Sequence, residues 1–253
     1  MTGTRVAVVT GAAQGIGQAT ARELDRRGWS LVLLDRQAID STVFRDALSL
    51  VGDLTDDEFL YEAHRATGER FGGVGALVNN AGRSLIAPAM NTSVEALKAV
   101  FAVNVVAPFV LSKLFGQFML EAGRGAIVNV ASVAGLQGVA DRSAYNASKH
   151  AIVGLTRTLA VEWGGRGVRV NAVAPGWVKT AMDATDQAGG SYNDRDIVEH
   201  VPMGRFARPD DVAAAVAWLC DGELAGFVNG VVLPVDGGWT ADGSWQSLRL
   251  RQR

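Results

Sequence analysis

Seven short apolar runs, rich in β-branched residues, alternate with helix-length segments along the chain. Most of the runs are continuously apolar, which is typical of strands that are covered on both faces. We predict strands at 5–11, 30–35, 48–53, 75–82, 125–132, 168–175 and 230–238, and helices at 15–28, 55–71, 93–119, 144–164 and 209–221. This alternation predicts an α/β fold, a doubly wound, Rossmann-like parallel sheet of about seven strands with helices on both faces.

Two segments depart from the alternation. The gap between Asp35 and the next apolar run is so short that any helix there must be stunted. Residues 177–206 lack clear periodicity and follow the carboxyl end of a strand, so we interpret them as a lid over a substrate site. We find no linker or repeat, and residues 1–253 are therefore predicted to form one domain that ends in a tail at 240–253.

Composition narrows the class of protein. The chain has 253 residues, of which 48% are hydrophobic and 20% charged, and a formal net charge of -2. Such a charge provides no electrostatic drive toward a polyanion, so we expect no nucleic-acid partner. We see no signal-peptide pattern and no apolar run that approaches the length of a membrane span. These features predict a cytoplasmic protein without a membrane partner.

Cysteine and histidine usage argues against a metal site. Cys220 is the only cysteine, which rules out an intrachain disulfide and a cysteine cluster, and it lies in an apolar helical run. His64, His150 and His200 are scattered without the spacing of metal ligands. We therefore expect no metal, and we interpret Cys220 as a core residue.

The segment "VVTGAAQGIGQATARELDRRG" places Gly11, Gly15 and Gly17 between the first predicted strand and the first predicted helix. Glycine lets the backbone turn sharply and approach a pyrophosphate closely, and the helix N-terminus offers free N–H groups. Asp35 ends the next strand, 18 residues beyond Gly17, where a dinucleotide fold needs an acceptor for the ribose hydroxyls. The alternative is a tight structural turn followed by a solvated aspartate.

Asp35 also bears on the choice of cofactor. A carboxylate at this position would repel a ribose 2′-phosphate, although the neighbouring Arg36 could attract one. We therefore expect NAD rather than NADP.

The stretch "SAYNASKHA" places Tyr145 and Lys149 four residues apart at the start of a predicted helix. This spacing puts both side chains on one helix face. On these residues alone, the pair is either an exposed tyrosine beside a solvated lysine or an acid–base pair.

Several motifs follow one another in an order that is highly specific when taken together. They are "TGAAQGIG" (10–17), "NNAG" (79–82), the pair Asp53 and Leu54, Asn104 in "FAVNVVAPF", Ser132 after "IVNVA", "YNASK" (145–149), and Pro175, Gly176 and Thr180. With these motifs the chain resembles the short-chain dehydrogenase/reductase family over nearly all of its length. It departs from the family pattern after Asp35 and in roughly a dozen residues beyond "DGGW" (236–239).

The resemblance implies roles for particular residues. Tyr145 would be the general acid/base, Lys149 would tune it and bind the nicotinamide ribose, Ser132 would orient the substrate oxygen, and Asn104 would hold a water that relays protons. Asn104 is otherwise a polar residue that breaks a helix, and Pro108 makes a kink there plausible in any case. The implied NAD-binding set is Gly11, Gln14, Gly15, Ile16, Gly17, Asp35, Arg36, Asp53, Leu54, Asn80, Ala81, Gly82, Tyr145, Lys149, Pro175, Gly176, Val178 and Thr180.

The proposed chemistry explains why a cation should accompany the phenol. A free tyrosine has a pKa of about 10, roughly three units above neutral pH, or about 4 kcal/mol. An ammonium about 4 Å away supplies about that much at an effective dielectric constant near 20. We therefore predict that Lys149 lowers the pKa of Tyr145.

Several alternatives stay open at this point. The lead hypothesis is NAD-dependent hydride transfer between a secondary alcohol or ketone and nicotinamide; the rivals are a 3-oxoacyl-thioester reductase of the same family and a non-catalytic NAD-sensing protein. Ser143 either touches substrate or caps the helix, and Trp177 either packs in the core or contacts the ligand. The resemblance also implies a homotetramer, which fits the apolar surface of the helices predicted at 93–119 and 144–164.

Overall fold

The computed structural model describes residues 5–187, 190 and 192–244. Seven strands form one sheet in the order β3-β2-β1-β4-β5-β6-β7, and every neighbouring pair is parallel. The strands are β1 (Val6–Thr10), β2 (Ser30–Asp35), β3 (Ala47–Val51), β4 (Ala76–Asn79), β5 (Gly125–Val130), β6 (Val168–Pro175) and β7 (Val232–Val235). The predicted doubly wound sheet is confirmed.

Eight α-helices accompany the strands in the described part of the chain. They are α1 (Gly15–Arg26), α2 (Asp57–Phe71), α3 (Val94–Phe101), α4 (Ala107–Ala122), α5 (Ser143–Gly164), α6 (Ala181–Gln187), α7 (Asp194–His200) and α8 (Pro209–Cys220). One face of the sheet packs on α2, α4 and α5 through residues such as Leu60, Phe115 and Leu159. The other face packs on α1 and α8 through residues such as Leu24 and Val216.

The order of the strands determines where a ligand can bind. The chain moves outward from β1 to β2 and β3, and then returns to the other side of β1 at β4. The connections after β1 and β4 therefore leave in opposite directions and open a crevice at the carboxyl ends of these two strands. The motifs that follow β1, β4, β5 and β6 all lie at this edge.

Three segments differ in detail from a uniform alternation. The short gap after β2 contains only a 3₁₀ turn (Ser41–Val43), which agrees with the prediction that any helix there is stunted. The helix predicted at 93–119 is divided into α3 and α4 by a π-helical turn (Ala102–Val106), which contains Asn104. The segment 177–206, predicted to be irregular, contains α6 and α7, whose seven residues each are too few to show a helical period.

The helical stretch Val94–Ala122 is, by length and composition alone, long and apolar enough to cross a membrane. This contradicts the prediction that no apolar run approaches that length. Leu111, Phe115 and Met119 on α4 are buried against the sheet, while Val106 and Phe109 are exposed. The apolar composition thus belongs to a helix that packs on the sheet with one face and leaves part of another uncovered.

Candidate active site

The turn between β1 and α1 brings backbone N–H groups to the carboxyl edge of the sheet. Gly11 and Gly15 have φ values of 64° and 57°, in the left-handed region that favours glycine. A Cβ on Gly17 would lie 2.0 Å from the carbonyl oxygen of Gly11, so this position also requires glycine. Within the described residues, Gln14 at the N-cap of α1 makes no side-chain capping bond. The N-terminus of α1 is therefore free to bind an anion.

The loop after β4 is tied to the end of β1. Thr10 Oγ1 accepts hydrogen bonds from the backbone N–H groups of Asn80 and Ala81, both at 3.0 Å. Asn80 Nδ2 donates to the carbonyl oxygens of Thr10 and Gly11, at 2.9 and 3.1 Å. These bonds fix the "NNAG" loop against the glycine turn. We had not predicted a role for Thr10.

Asp35 lies where the ribose of a dinucleotide is expected. Its Oδ2 accepts a hydrogen bond from the backbone of Ala13 (3.0 Å), and its Oδ1 accepts one from the backbone of Gln37 (2.9 Å). The neighbouring Arg36 is largely exposed, and its Nη1 lies 4.0 Å from Asp53 Oδ2. The carboxylate is thus held in position, while the guanidinium extends along the rim toward a second carboxylate.

Three predicted catalytic side chains meet at this edge. Ser132 follows β5 and its Oγ accepts a hydrogen bond from the backbone of Ala134 (3.1 Å). Tyr145 lies in the first turn of α5, where its phenol interacts with the Ser132 hydroxyl. Lys149 follows one turn later; it is buried, its Nζ donates to the Val130 carbonyl oxygen (2.8 Å), and it lies 5.6 Å from the Tyr145 ring centroid.

The electrostatics of Tyr145 differ from the prediction. Burial raises the pKa of the Tyr145 phenol, the interaction with Ser132 and the charge of Arg142 lower it, and the charge of Asp186 raises it. Lys149 is not among the groups that shift this pKa, and its ammonium donates to the Val130 carbonyl oxygen. The prediction that Lys149 lowers this pKa is therefore wrong in this structure. Burial also lowers the pKa of Lys149 itself to about 8, which leaves most of it protonated at neutral pH.

The Asn104 side chain joins the loop after β4 to α5 by hydrogen bonds. Its Oδ1 accepts from the backbone of Arg83 (2.8 Å), and its Nδ2 donates to the Arg83 carbonyl and to Ser148 Oγ, both at 3.0 Å. Both amide donors are used, and one acceptor lone pair of Oδ1 remains. Asn104 Oδ1 and Lys149 Nζ lie 3.6 and 3.7 Å from the point that a Cβ on Gly82 would occupy. The two groups therefore border one small space.

The segment after β6 closes the site from the opposite side. Gly176 packs so tightly that a Cβ would lie 2.9 Å from the Cα of Asp236. Val178 forms an isolated bridge with Ala207, which fixes the path of the chain toward α6. Thr180 lies across from the glycine turn, with its Cγ2 3.5 Å from the point that a Cβ on Gly15 would occupy. This segment thus approaches the anion-binding turn.

All these segments line one cleft of about 1030 Å³, which is large for a small-molecule site. Gly17 and Asn104 are buried behind its wall. The other predicted site residues line it: Gly11, Gln14, Gly15, Ile16, Asp35, Arg36, Asp53, Leu54, Asn80, Ala81, Gly82, Ser132, Tyr145, Lys149, Pro175, Gly176, Val178 and Thr180. The glycine turn, the uncapped helix end and the fixed Asp35 carboxylate together fit a nicotinamide dinucleotide.

Sequence reasoning did not assign several polar and charged residues to the cleft. Ser84, Arg142 and Asp186 all line it, and the Arg142 guanidinium makes an ion pair with Asp186 at 2.9 Å. A signal existed for Arg142, because it lies three residues before Tyr145 and so at the same helix end. Asp186 lies in the segment 177–206 that we interpreted as a lid, but the lack of periodicity left open which of its polar side chains face inward.

The structure locates Ser143 and Trp177, whose roles the sequence left open. Ser143 is exposed and does not line the cleft, whereas Trp177 does line it. The Trp177 ring also contacts those of Tyr192 and Trp239, with centroid distances of 5.1 and 5.7 Å. The predicted tail at 240–253 lies mostly outside the described residues, which end at 244.

The histidines and the cysteine are not part of the site. His64 stacks on Phe118 with a centroid distance of 4.6 Å, His150 is exposed, and His200 contacts Trp239. Across residues 5–187, 190 and 192–244, no group of three side chains is arranged to hold a metal ion. Burial raises the pKa of the Cys220 thiol to about 12.

Comparison with known proteins agrees with this site. A family model described as enoyl-(acyl carrier protein) reductase matches residues 11–240. D-threitol dehydrogenase of Mycolicibacterium smegmatis is 37% identical over 93% of each chain. Galactitol 2-dehydrogenase (L-tagatose-forming) of Cereibacter sphaeroides is 40% identical over 92% of this chain and 94% of its own.

Solved structures show the same fold. A putative NAD(P)-dependent gluconate 5-dehydrogenase from Beutenbergia cavernae, with bound NADP at low occupancy, is 41% identical with a TM-score of 0.87, covering 94% of this chain and 97% of its own. A 3-ketoacyl-(acyl-carrier-protein) reductase from Brucella melitensis complexed with NADH is 29% identical with a TM-score of 0.87, covering 93% and 98%. The chain belongs to the short-chain dehydrogenase/reductase family and is an oxidoreductase.

Proposed function

We propose that this protein oxidises secondary alcohols to ketones with NAD and catalyses the reverse reduction. The observation that carries this proposal is the meeting of Ser132, Tyr145 and Lys149 in the same cleft as the glycine turn. The activities named for the relatives, dehydrogenation of threitol and of galactitol, support the same class of reaction at a carbon that bears a hydroxyl.

The side chains suggest how the proton moves. Bound NAD would accept the hydride from the carbinol carbon. Tyr145 exchanges the hydroxyl proton with the substrate, while Ser132 hydrogen-bonds the same oxygen and stabilises its developing charge. Burial raises the pKa of Tyr145, so the phenol rests protonated and is ready to donate to a carbonyl during reduction. For oxidation it must first lose its proton, and the interaction with Ser132 and the positive charge of Arg142 make that loss less costly.

A path for that proton is suggested by the space next to Gly82. Asn104 Oδ1, with one free lone pair, and Lys149 Nζ both border this space. A water there would accept from the ammonium and donate to the amide oxygen, connecting Lys149 to solvent. We therefore assign Asn104 a positioning role behind the wall of the cleft rather than a contact with substrate.

The arrangement around Asp35 supports NAD over NADP. The carboxylate is fixed by two backbone N–H groups at the position of the ribose hydroxyls, where it would repel a 2′-phosphate. Arg36, the residue that could attract such a phosphate, extends toward Asp53 instead. The two solved relatives carry NADP in one case and NADH in the other, so preference between the cofactors is a property to be measured for this chain.

We also propose a homotetramer in the cytoplasm. The exposed apolar side chains of the interrupted helix α3–α4 (Val94, Val106, Phe109) and of α5 (Val161) lie on surfaces that a second copy would cover. Light scattering is expected to give four times the mass of the 26.6 kDa chain; a monomer would contradict this proposal.

The proposal is tested by following NADH absorbance over a panel of secondary alcohols, for the wild type and for Tyr145→Phe. We expect a fall in kcat/KM of about 1000-fold for Tyr145→Phe, within the range for loss of a general acid/base, with NADH binding retained. Tyr61→Phe is the matched control, since Tyr61 is exposed on α2. Turnover by Tyr145→Phe at the wild-type rate would refute the mechanism.

The same assay separates the rival functions. Activity on a 3-oxoacyl thioester with NADPH, in preference to every alcohol, would identify the chain as a reductase of the kind solved from Brucella melitensis. Binding of NADH without turnover of any substrate in the panel would favour the NAD-sensing alternative.

A further inference from the structure

A cluster of polar side chains lies in the cleft beyond the predicted catalytic residues. Arg142 Nη1 lies 2.9 Å from Asp186 Oδ2 and 3.2 Å from Ser84 Oγ, and Ser84 Oγ lies 3.1 Å from the same Asp186 oxygen. The side chains of Arg142 and Asp186 are only 10% and 14% exposed. We call Ser84, Arg142 and Asp186 the polar triangle. All three line the cleft that contains Tyr145.

Three separate segments supply the polar triangle. Ser84 follows the "NNAG" loop, Arg142 is the N-cap of α5, and Asp186 belongs to α6. Asp141, just before Arg142, has φ 58°, a conformation that is uncommon outside glycine. The backbone of Ala87 donates to the Asp141 carbonyl (2.8 Å) and holds this turn in place. The fold thus accepts local strain at the residue that precedes Arg142.

A buried ion pair needs a reason other than stability. Taking two charges out of water costs free energy that their attraction often fails to return. Here the charges of both Arg142 and Asp186 reach Tyr145, since one lowers and the other raises the pKa of its phenol. The ion pair therefore lies within electrostatic range of the Tyr145 oxygen. A contact with the substrate would explain why this pair is buried in spite of its desolvation cost.

Part of the bonding capacity of the cluster is unused. A guanidinium has five N–H donors, and the hydrogen bonds from Arg142 to Ser84 and Asp186 both use Nη1. In the described part of the chain, the buried Trp177 Nε1 has no hydrogen-bond partner, whereas the Tyr192 phenol interacts with the Arg142 guanidinium. Trp177 and Tyr192 line the cleft, and the Arg142 guanidinium lies 5.6 Å from the Trp177 ring. Buried polar atoms without partners require an explanation, and a polar ligand provides one.

The charge balance selects among ligand classes. Arg142 and Asp186 together are neutral and offer a donor and an acceptor side by side, which suits a hydroxyl because it both donates and accepts. A substrate carboxylate would meet the negative Asp186, and a purely apolar group would cover the pair without replacing its contacts with water. The observations therefore favour a neutral hydroxyl group.

We propose that the polar triangle binds a second hydroxyl of the substrate, next to the one that reacts, so that the substrates are neutral polyols with vicinal hydroxyl groups. This inference rests on the proposed function. Arg142 donates to the second hydroxyl, and Asp186, delivered by α6, accepts from it. Ser84 is a positioning residue that holds the two charged groups together.

The test measures kcat/KM for a four-carbon series: 2-butanol, 2,3-butanediol, the tetritols and 3-hydroxybutyrate. The wild type is expected to prefer the best polyol over 2-butanol by about tenfold or more, because a hydrogen bond to a charged group is at stake. Asp186→Asn keeps the shape and removes the charge, and we expect this preference to fall by about tenfold. Ser84→Ala is expected to reduce the preference by a smaller factor, and it serves as the readout if Asp186→Asn does not fold.

Asp194→Asn is the matched control. Asp194 is an exposed acid at the start of α7; it pairs with Lys179 and does not line the cleft. We expect it to leave the preference unchanged.

The possible outcomes separate the two proposals. Turnover of 2-butanol with no preference for polyols, or a preference that survives both Asp186→Asn and Ser84→Ala, would overturn this inference and leave the proposed function standing. A preference for 3-hydroxybutyrate would overturn it in favour of an acid substrate. Turnover of no alcohol at all would remove the proposed function, and this inference with it.

Discussion

The two halves of the cleft are built by different means. The half that fits the dinucleotide consists largely of backbone: the glycine turn, the free N-terminus of α1, and the "NNAG" loop held by Thr10. The half that faces the substrate consists of side chains from distant segments, such as Arg142 before α5 and Asp186 on α6. The first half is constrained by contact distances of the backbone, whereas the second half depends on which side chains lie opposite each other.

The two halves differ in what they determine about the reaction. A backbone cradle excludes Cβ atoms, so its glycines are required by contact distances alone. A side-chain pocket depends on which charges lie opposite each other, and the same scaffold can present other pairs there. The first half therefore fixes the class of reaction, and the second half selects the substrate.

After the loss of activity expected for Tyr145→Phe, the next largest effect on ligand binding or turnover is expected in the backbone half. In Gly17→Ala the new Cβ would lie 2.0 Å from the Gly11 carbonyl oxygen, which forces the turn apart. We expect NADH binding, measured by fluorescence titration, to weaken by about 100-fold, as expected when a group of close phosphate contacts is lost.

Gly222→Ala is its control, because a Cβ at this exposed position after α8 meets no atom of the described residues within 4 Å. This variant should bind NADH normally. Normal binding by Gly17→Ala would show that the turn is not the anion site.

A smaller effect is expected at the adenosine end. Asp35→Asn removes the charge that would oppose a 2′-phosphate, and we expect the ratio of kcat/KM values for NADP and NAD to rise by about tenfold. Asp40→Asn removes an equal charge from the loop beyond β2, outside the cleft, and should leave the ratio unchanged. An equal response of the two variants would mean that only the overall charge matters.

A further prediction concerns the stability contributed by Lys149, at the boundary of the two halves. Its pKa in the folded protein is about 8, below the ordinary value of 10.5. Between these pH values the unfolded chain binds more protons than the folded one, so the free energy of unfolding rises with pH. We expect the wild type to gain stability relative to Lys149→Met from pH 8 to 10.5 in urea titrations without added cofactor. A difference that stays constant with pH would contradict the burial of this ammonium.

The sequence predicted the backbone half well for physical reasons. Continuous apolar runs and glycine positions are local signals, and they determined the seven strands and the turn at Gly11, Gly15 and Gly17. The interruption around Asn104 was not resolved, because a π turn has no spacing that distinguishes it from a helix. The polar triangle was missed because its three residues are 44 to 102 positions apart and meet only in the folded chain.

The wrong prediction that Lys149 lowers the pKa of Tyr145 has a similar origin. The spacing of Tyr145 and Lys149 predicted their common helix face correctly, but it could not show that the Val130 carbonyl binds the ammonium or that Arg142 approaches the phenol. Burial, which dominates the pKa of both residues, depends on what the rest of the chain places around them.

The buried Cys220 makes the protein convenient for site-specific labelling. It is the only thiol in the chain, and a pKa of about 12 keeps it protonated and unreactive toward maleimides at neutral pH. A cysteine introduced at an exposed position of α7, such as Glu199→Cys, would therefore be the single site for a fluorophore. Its emission would report, in real time, whether the segment that delivers Asp186 moves as an alcohol binds.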